Sequence, residues 1–537
     1  MIQIMQNEAF EAQWAKARQL EAAGNAVAAI ETYEEILAKE PYRLYARLRV
    51  STLLQMQGSY RRARQHAVDA VESVRHSRWN DLPHVTSKLL TFDEHRLLLE
   101  LVRGVDWNHQ DVIVTSPFLI QHLWLTGAVE DSLRLAEIAL RAAPSHAQLN
   151  YAHGIVLGYL GRIPEAVSAY EKCIEMVPGY AAAHWSLAYA GKQTKGGLAR
   201  VARIEAALQK QTDPEESPFL HYAAFKELND LGDHDAAWEH LSAGAKIKRS
   251  RVNYDAAREI ELTEYLLGQN AEVRHSATAV NNTSAIFVVG MPRTGTTVLD
   301  RILGNHPKLL SGGELSDFRS ALNYVLDAFI GAVPSVKYLG KLNQSSLEEV
   351  GRRYLESTRW RARSNDDIVV DKHPENFFLS ASIMDAIPGA RIICMRRNPM
   401  DACFSNLKEL FANKSYGYSY DLDELADHYR RFDMLSRHWA GARPNQFLLV
   451  DYEELVAEPN SQARRVFDFL GLPYCSEYAD ITRNITAVTT ASATQVREPI
   501  STKNIGAWSA YENYLGVLKQ RLQNAPTTSR QDRTDAG

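Results

Sequence analysis

Glycines stand at 34-residue steps in the first half of the chain: Gly24 and Gly58, then Gly127 and Gly161, with Pro144 and Pro178 keeping the same interval. Gly24 and Gly58 each sit between two amphipathic helical patterns, residues 15–37 around the first and 46–71 around the second. Small or aromatic residues fall where paired helices must approach: Ala29 and Tyr33, Ala63 and Ala67, Ala166 and Tyr170. One helix pair cannot bury its apolar face alone, so a repeated pair has to stack on its neighbours, which restricts this half of the chain to a helical solenoid. Degenerate units follow around Ala183 to Ala190 and around Gly232 and Ala237, while Arg75 to Val114 breaks the period, as a degraded repeat or as an insertion.

The period and the paired helices resemble the tetratricopeptide repeat (TPR). They place a TPR domain at 1–267, followed by a polar linker at 268–284. A different pattern begins at Ala285. Short β-rich runs at Ala285 to Val289, Asp367 to Asp371, Ala390 to Met395 and Gln446 to Val450 alternate with helical segments, the signature of an α/β domain with a mainly parallel sheet, here at 285–524. Residues 525–537 are polar and turn-rich and read as a disordered tail. The expected fold is an all-α TPR solenoid followed by an α/β P-loop-like domain.

Composition narrows the function classes. A formal charge of −5 over 537 residues argues against general nucleic-acid binding, which leaves a basic footprint, so any anion site has to be local. The four cysteines, Cys173, Cys394, Cys403 and Cys475, show neither CxxC pairing nor a histidine cluster, against a disulfide framework or a metal site. Met1 to Glu11 lacks the basic start and apolar stretch of a signal peptide, and no apolar run approaches the roughly 18 residues a membrane span needs. These features predict a soluble cytoplasmic protein.

The segment Ile286 to Asp300 reads as strand, tight loop and helix start, a phosphate cradle in which backbone N–H groups and the helix N-terminus meet an anion. Gly290, Gly295 and Thr297 fit the spacing GxxxxGK[ST], yet Thr296 stands where a nucleotide-binding P-loop has lysine. A kinase or ATPase uses that lysine on its β- and γ-phosphates. Here Arg293 can supply positive charge from within the loop.

Pro292-Arg293-Thr294-Gly295-Thr296-Thr297 after a strand is similar to the 5′-phosphosulfate loop of sulfotransferases, nearest the protein-tyrosine sulfotransferases and bacterial TPR-linked sulfotransferases. The likeness runs from about Ile286 to Leu515. It implies a co-substrate, 3′-phosphoadenosine-5′-phosphosulfate, and no metal. In Ser311-Gly-Gly-Glu-Leu315, after the Asn305-His306-Pro307 turn, Glu314 matches the family's general base; a helix-capping role competes, and His306 and His373 are alternative bases. Asp371-Lys372-His373-Pro374 resembles the K-x-P motif, in which the lysine stabilises charge on the oxygen bridging phosphate and sulfonyl. Arg396 to Ser405 resembles the 3′-phosphate-binding segment; the spacing favours Arg397 with Ser405, and Arg396 is the competing ligand.

Ala491 to Trp508 resembles the loop that closes over the nucleotide, where relatives carry a basic residue before the tryptophan and this chain has Ala507. Arg497, Lys503 and Ser492 are the candidate replacements. The catalytic set is Glu314, Lys372 and Arg293; the donor-binding set is Arg293, Thr294, Gly295, Thr296, Thr297, Arg397, Ser405, Ser492, Arg497 and Lys503. The implied reaction moves a sulfonyl group to a hydroxyl, of protein tyrosine, a glycan or another alcohol; the TPR surface either docks a peptide or protein acceptor or only supports the catalytic domain. A P-loop kinase using ATP and a TPR scaffold with an inactive transferase domain are the competing readings.

Overall fold

The structure, a computed structural model, describes residues 2–192, 197–269, 283–412, 416–484, 486–487 and 497–523. Most of the expected linker and the whole expected tail lie outside the described residues. Two compact units emerge, 1–153 with 319–330 and 154–318 with 331–537, so neither boundary coincides with the change of pattern near 267.

In the first unit, helices Ile2–Ala22, Ala26–Lys39, Leu44–Met56 and Tyr60–Arg75 form two successive pairs. Gly24 and Gly58 turn the chain within each pair at φ 76° and 80°, a left-handed conformation in which a side chain would be strained. Ala29, Tyr33, Ala63 and Ala67 are fully buried. The irregular stretch is a repeat in disguise. Helices Leu82–Thr91 and His95–Arg103 pair across Asp93, which takes the same left-handed conformation at φ 56°. Asp93 lies 35 residues after Gly58 and 34 before Gly127, so the period survives with one added residue. Aspartate tolerates this conformation better than most residues, and the periodic glycine had hidden the unit by its absence.

The segment 319–330, far away in sequence, completes this unit's core. Phe329 meets Tyr60 edge-on at 5.0 Å, and Asp327 accepts a hydrogen bond from the Arg61 amide at 2.8 Å.

The second unit contains a five-stranded, wholly parallel sheet: β1 (Ala285–Gly290), β2 (Leu309–Gly313), β3 (Ile368–Asp371), β4 (Ala390–Arg396) and β5 (Phe447–Asp451), in the order β2-β3-β1-β4-β5. Four strands lie within one residue of their expected ends. β2 was not expected, because its Ser311-Gly-Gly run has turn composition. β1 is buried along its whole length, as the central strand of a sheet covered on both faces must be. The strand order reverses about β1, which opens a crevice beyond the carboxyl ends of β1, β3 and β4, where open α/β sheets bind ligands.

The last helical pairs belong to this unit through buried polar contacts. Glu259, fully buried on helix Ala256–Leu267, lies 2.9 Å from His428 Nδ1 and accepts from Arg431 Nε at 2.8 Å and from Tyr254 Oη at 2.7 Å. Burial pushes its carboxyl up, but His428, Arg431 and Tyr254 together outweigh that and hold it down at about 2. Arg249 grips Glu424 through two bonds of 2.7 Å. Removing one member of such a network would leave a charge buried without its partner.

Candidate active site

The loop after β1 is shaped by two glycines that admit no side chain. A Cβ on Gly290 would stand 2.7 Å from the Met395 carbonyl oxygen, and one on Gly295 would stand 2.4 Å from the Tyr452 ring. Between them Arg293 adopts φ 67°, left-handed for a non-glycine residue. Thr294 is fully buried and donates to the Met291 carbonyl at 2.7 Å. Gly295 begins helix Thr296–Gly304 without a side-chain cap, so the first amides of that helix are left to whatever occupies the loop. Thr296 and Thr297 are both buried in its first turn.

Strand register builds the second part of the site. Gly313 of β2 pairs with Asp371 of β3, so the residues that follow, Glu314 and Lys372, leave adjacent strands side by side. The Lys372 amide donates to the Gly313 carbonyl at 2.9 Å, and its Nζ lies 2.6 Å from Glu314 Oε1. The lysine is 2% exposed at its side chain and the glutamate 44%, so the pair has a dry end and a wet end. Burial raises the Glu314 carboxyl, yet the Lys372 and His373 charges and the Lys372 hydrogen bond outweigh it and leave it below the ordinary glutamate range. Asp300, on the loop helix, is a further buried carboxylate that sequence reasoning missed: Ser311 Oγ donates to its Oδ2 at 2.9 Å, while its Oδ1 has no partner among the described residues. Burial raises the Asp300 carboxyl, opposed chiefly by Lys372.

Cations converge in the third part. Arg397, the residue after β4, donates through Nη1 to the Arg293 carbonyl at 3.1 Å and through Nη2 to the Asn504 carbonyl at 2.6 Å, with its guanidinium carbon 4.8 Å from the centre of the Tyr452 ring. Its Nε is buried without a partner among the described residues. Arg293 Nε approaches Ser405 Oγ at 3.5 Å, from helix Pro399–Leu407. Lys408, not singled out in the sequence, completes the group; burial, then the charges of Arg293 and Arg397, push its amine down to about 8. It follows Ser405 by three residues, one helical turn, which is the spacing that could have revealed it. Glu409 and Asp401 are the acidic neighbours: Arg293 Nη1 is 3.8 Å from Glu409, and Asp401 accepts from the Gly506 amide at 2.8 Å. Arg396 is engaged elsewhere, 3.0 Å from Asp451 and 3.4 Å from Asp433.

The remaining candidates lie apart from this cluster. Arg497 donates to the Tyr159 carbonyl at 2.5 Å and packs on Gly161. Lys503 is exposed, and it is the backbone of its neighbour Asn504 that reaches Arg397. Ser492 lies outside the described residues. His306 is 2% exposed, stacked on Phe467 at 5.5 Å, and its Nδ1 accepts from the Lys308 amide at 3.2 Å, the bonding of a turn residue. His373 Nδ1 accepts from the Glu375 amide at 3.3 Å and caps the short helix Pro374–Leu379.

The profile of the Sulfotransferase family matches residues 285–476. An uncharacterised protein of Aquifex aeolicus is 28% identical over 326 residues, 59% of this chain and 42% of that protein, so the match spans under half of that relative's length. A Caenorhabditis briggsae protein provisionally named a protein-tyrosine sulfotransferase is 23% identical over 42% of this chain and 80% of its own length. The solved sulfotransferase domain of the Synechococcus olefin synthase aligns with 47% of this chain and 99% of its own, at 17% identity and a TM-score of 0.31. Residues 285–476 thus match the Sulfotransferase family, and they follow a run of helix pairs whose turns recur at 34-residue steps.

Proposed function

We propose that the chain transfers a sulfonyl group from 3′-phosphoadenosine-5′-phosphosulfate to a hydroxyl acceptor. The observation that carries this reading is the Glu314–Lys372 pair, a carboxylate and an ammonium 2.6 Å apart at the crevice edge of the sheet, with a glycine-shaped anion loop on the strand beside them. The residues present fit the donor. Gly290 and Gly295 let the loop lie against Met395 and Tyr452 as no other residue could, and Arg397 Nε is a buried donor with no partner among the described residues. The loop amides with Thr296 and Thr297 would hold the 5′-phosphate, and Arg397, Ser405 and Lys408 the 3′-phosphate, through charge-assisted bonds.

The donor supplies an activated sulfur bonded to a phosphate oxygen. Glu314, more than half shielded and still ionised, takes the proton of the acceptor hydroxyl as its oxygen bonds to sulfur. Lys372, held in a dry position, neutralises the charge left on the phosphate oxygen as the sulfur–oxygen bond breaks. Arg293 adds positive charge from the loop.

Incubating the full chain with a donor carrying labelled sulfur and a panel of phenols, sugars and peptides tests the reading. Label should appear on an acceptor hydroxyl and vanish with Lys372→Ala. Tighter calorimetric binding of Mg-ATP than of 3′-phosphoadenosine-5′-phosphate would replace this reading with a kinase.

A further inference from the structure

A cavity of about 240 Å³ adjoins the proposed reaction centre. One wall is Gly290, Met291 and Pro292 of the anion loop together with Pro374 and Glu375, the second and third residues after Lys372. Another is aromatic: Phe377, Tyr418 and Phe432, all at most 6% exposed, with Tyr418 stacked on His428 at 3.5 Å. A further wall is the turn from Asn253 to Asp255 and Arg258, which precedes and opens the last repeat-region helix, outside the family-matched residues 285–476. Small-molecule pockets commonly run from about 300 to 1,000 Å³, so this one suits a single ring-sized group.

Arg258 is the unusual member. Its Nε is buried with no hydrogen-bond partner among the described residues, and the residue lines the cavity together with the aromatic side chains and with Asp255 and Glu375. A buried donor of this kind is costly to leave unpaired. Asp255 is committed to the helix start, where its Oδ1 accepts from the Arg258 amide at 3.0 Å. Glu375 is the opposing charge; its influence reaches Tyr418 on the aromatic wall.

We propose that this cavity receives the acceptor, a ring-bearing alcohol with an anionic group, and that Arg258 of the repeat region reads that group; the assignment of the cavity to an acceptor rests on the sulfotransferase reading above. The repeat helices then supply specificity directly, as a wall of the acceptor site. An acceptor enters with its hydroxyl toward Pro374 and the loop, its ring among the aromatics, and its carboxylate toward Arg258.

Calorimetry on the full chain with three phenols of similar size, 4-hydroxyphenylacetate, 4-ethylphenol and tyramine, tests the charge preference without any transfer chemistry. The phenolic acid should bind about 10- to 100-fold more tightly than the neutral phenol, the range of a charge-assisted bond, and tyramine should bind most weakly. Arg258→Ala should abolish the advantage while leaving the affinity for 4-ethylphenol and for 3′-phosphoadenosine-5′-phosphate unchanged, and Arg258→Lys should restore part of it. Equal binding of the three phenols, preference for tyramine, no binding of any, or an Arg258→Ala effect that ignores ligand charge would overturn the proposal. Selective binding of the phenolic acid with no sulfonyl transfer to any alcohol would overturn the sulfotransferase reading alone.

Discussion

The two charged groups of the crevice are built on opposite principles. Glu314 and Lys372 leave neighbouring strands whose register sets them side by side, and their charges cancel at 2.6 Å. Arg293, Arg397 and Lys408 come from a loop, a strand end and a helix end, and their like charges together with burial press the lysine amine down to about 8. The first arrangement is stable as it stands. The second would be relieved by a bound anion, so a chain of net charge −5 still concentrates positive charge locally. A balanced pair suits proton transfer and charge neutralisation, whereas an unbalanced cluster suits binding.

That contrast can be broken at the pair. Glu314→Gln keeps shape and hydrogen bonding but removes the proton acceptor, so turnover should fall by about 10²–10⁴-fold while calorimetric affinity for 3′-phosphoadenosine-5′-phosphate stays the same. Turnover within a few-fold of normal would return Glu314 to a capping role and move the base to His306 or His373.

At the cluster the effects should reverse. Arg397→Ala should weaken the bisphosphate by about 10- to 100-fold, the loss of a charge-assisted contact, and leave adenosine 5′-phosphate little affected because it has no 3′-phosphate. Equal losses for both ligands would show that Arg397 serves the loop rather than the phosphate.

Lys408 gives the difference a pH signature. An amine titrating at about 8 is charged below that pH and neutral above it. Bisphosphate affinity should therefore be full below pH 8 and decline as pH rises through it, by at most about tenfold per unit. The decline should disappear in Lys408→Met. Glu314 titrates in the opposite region: its carboxyl is held below the usual range, so turnover should persist into mildly acidic buffer, and a turnover profile already falling at pH 6 would contradict that assignment.

The smallest effect is expected at Arg396. Its guanidinium is committed to Asp451 and Asp433, so Arg396→Ala should change bisphosphate affinity by less than about threefold, a typical outcome for a partly exposed ion pair. A loss matching that of Arg397→Ala would exchange the two assignments.

Legibility varied with the range of the interaction. Four strands could be read because each is a short apolar run between turns, a signal carried by a few consecutive residues. β2 could not, since Leu309–Gly313 carries two glycines and becomes a strand only by pairing with β3. Asp93 hid a repeat because the turn it makes is ordinarily given to glycine. Arg497 and Lys503 were drawn in by their place in the closing segment, yet backbone geometry turns Arg497 toward Tyr159 and brings the Asn504 carbonyl to Arg397 instead. A contact made by a main-chain oxygen leaves no trace in residue identity.

From sequence alone the chain is determined to be a repeat of helix pairs followed by a parallel α/β domain, because hydrophobic period, glycine spacing and the strand-loop-helix pattern are local properties. Tertiary structure alone decided that Lys372 stands against Glu314, that Lys408 joins Arg397, and that the turn carrying Arg258 belongs to a cavity beside the anion loop. Those juxtapositions join residues separated by 58 positions in the first case and by more than 30 between Arg258 and the loop in the last. They depend on strand order and on which helices pack against the sheet, and neither is encoded in any one segment.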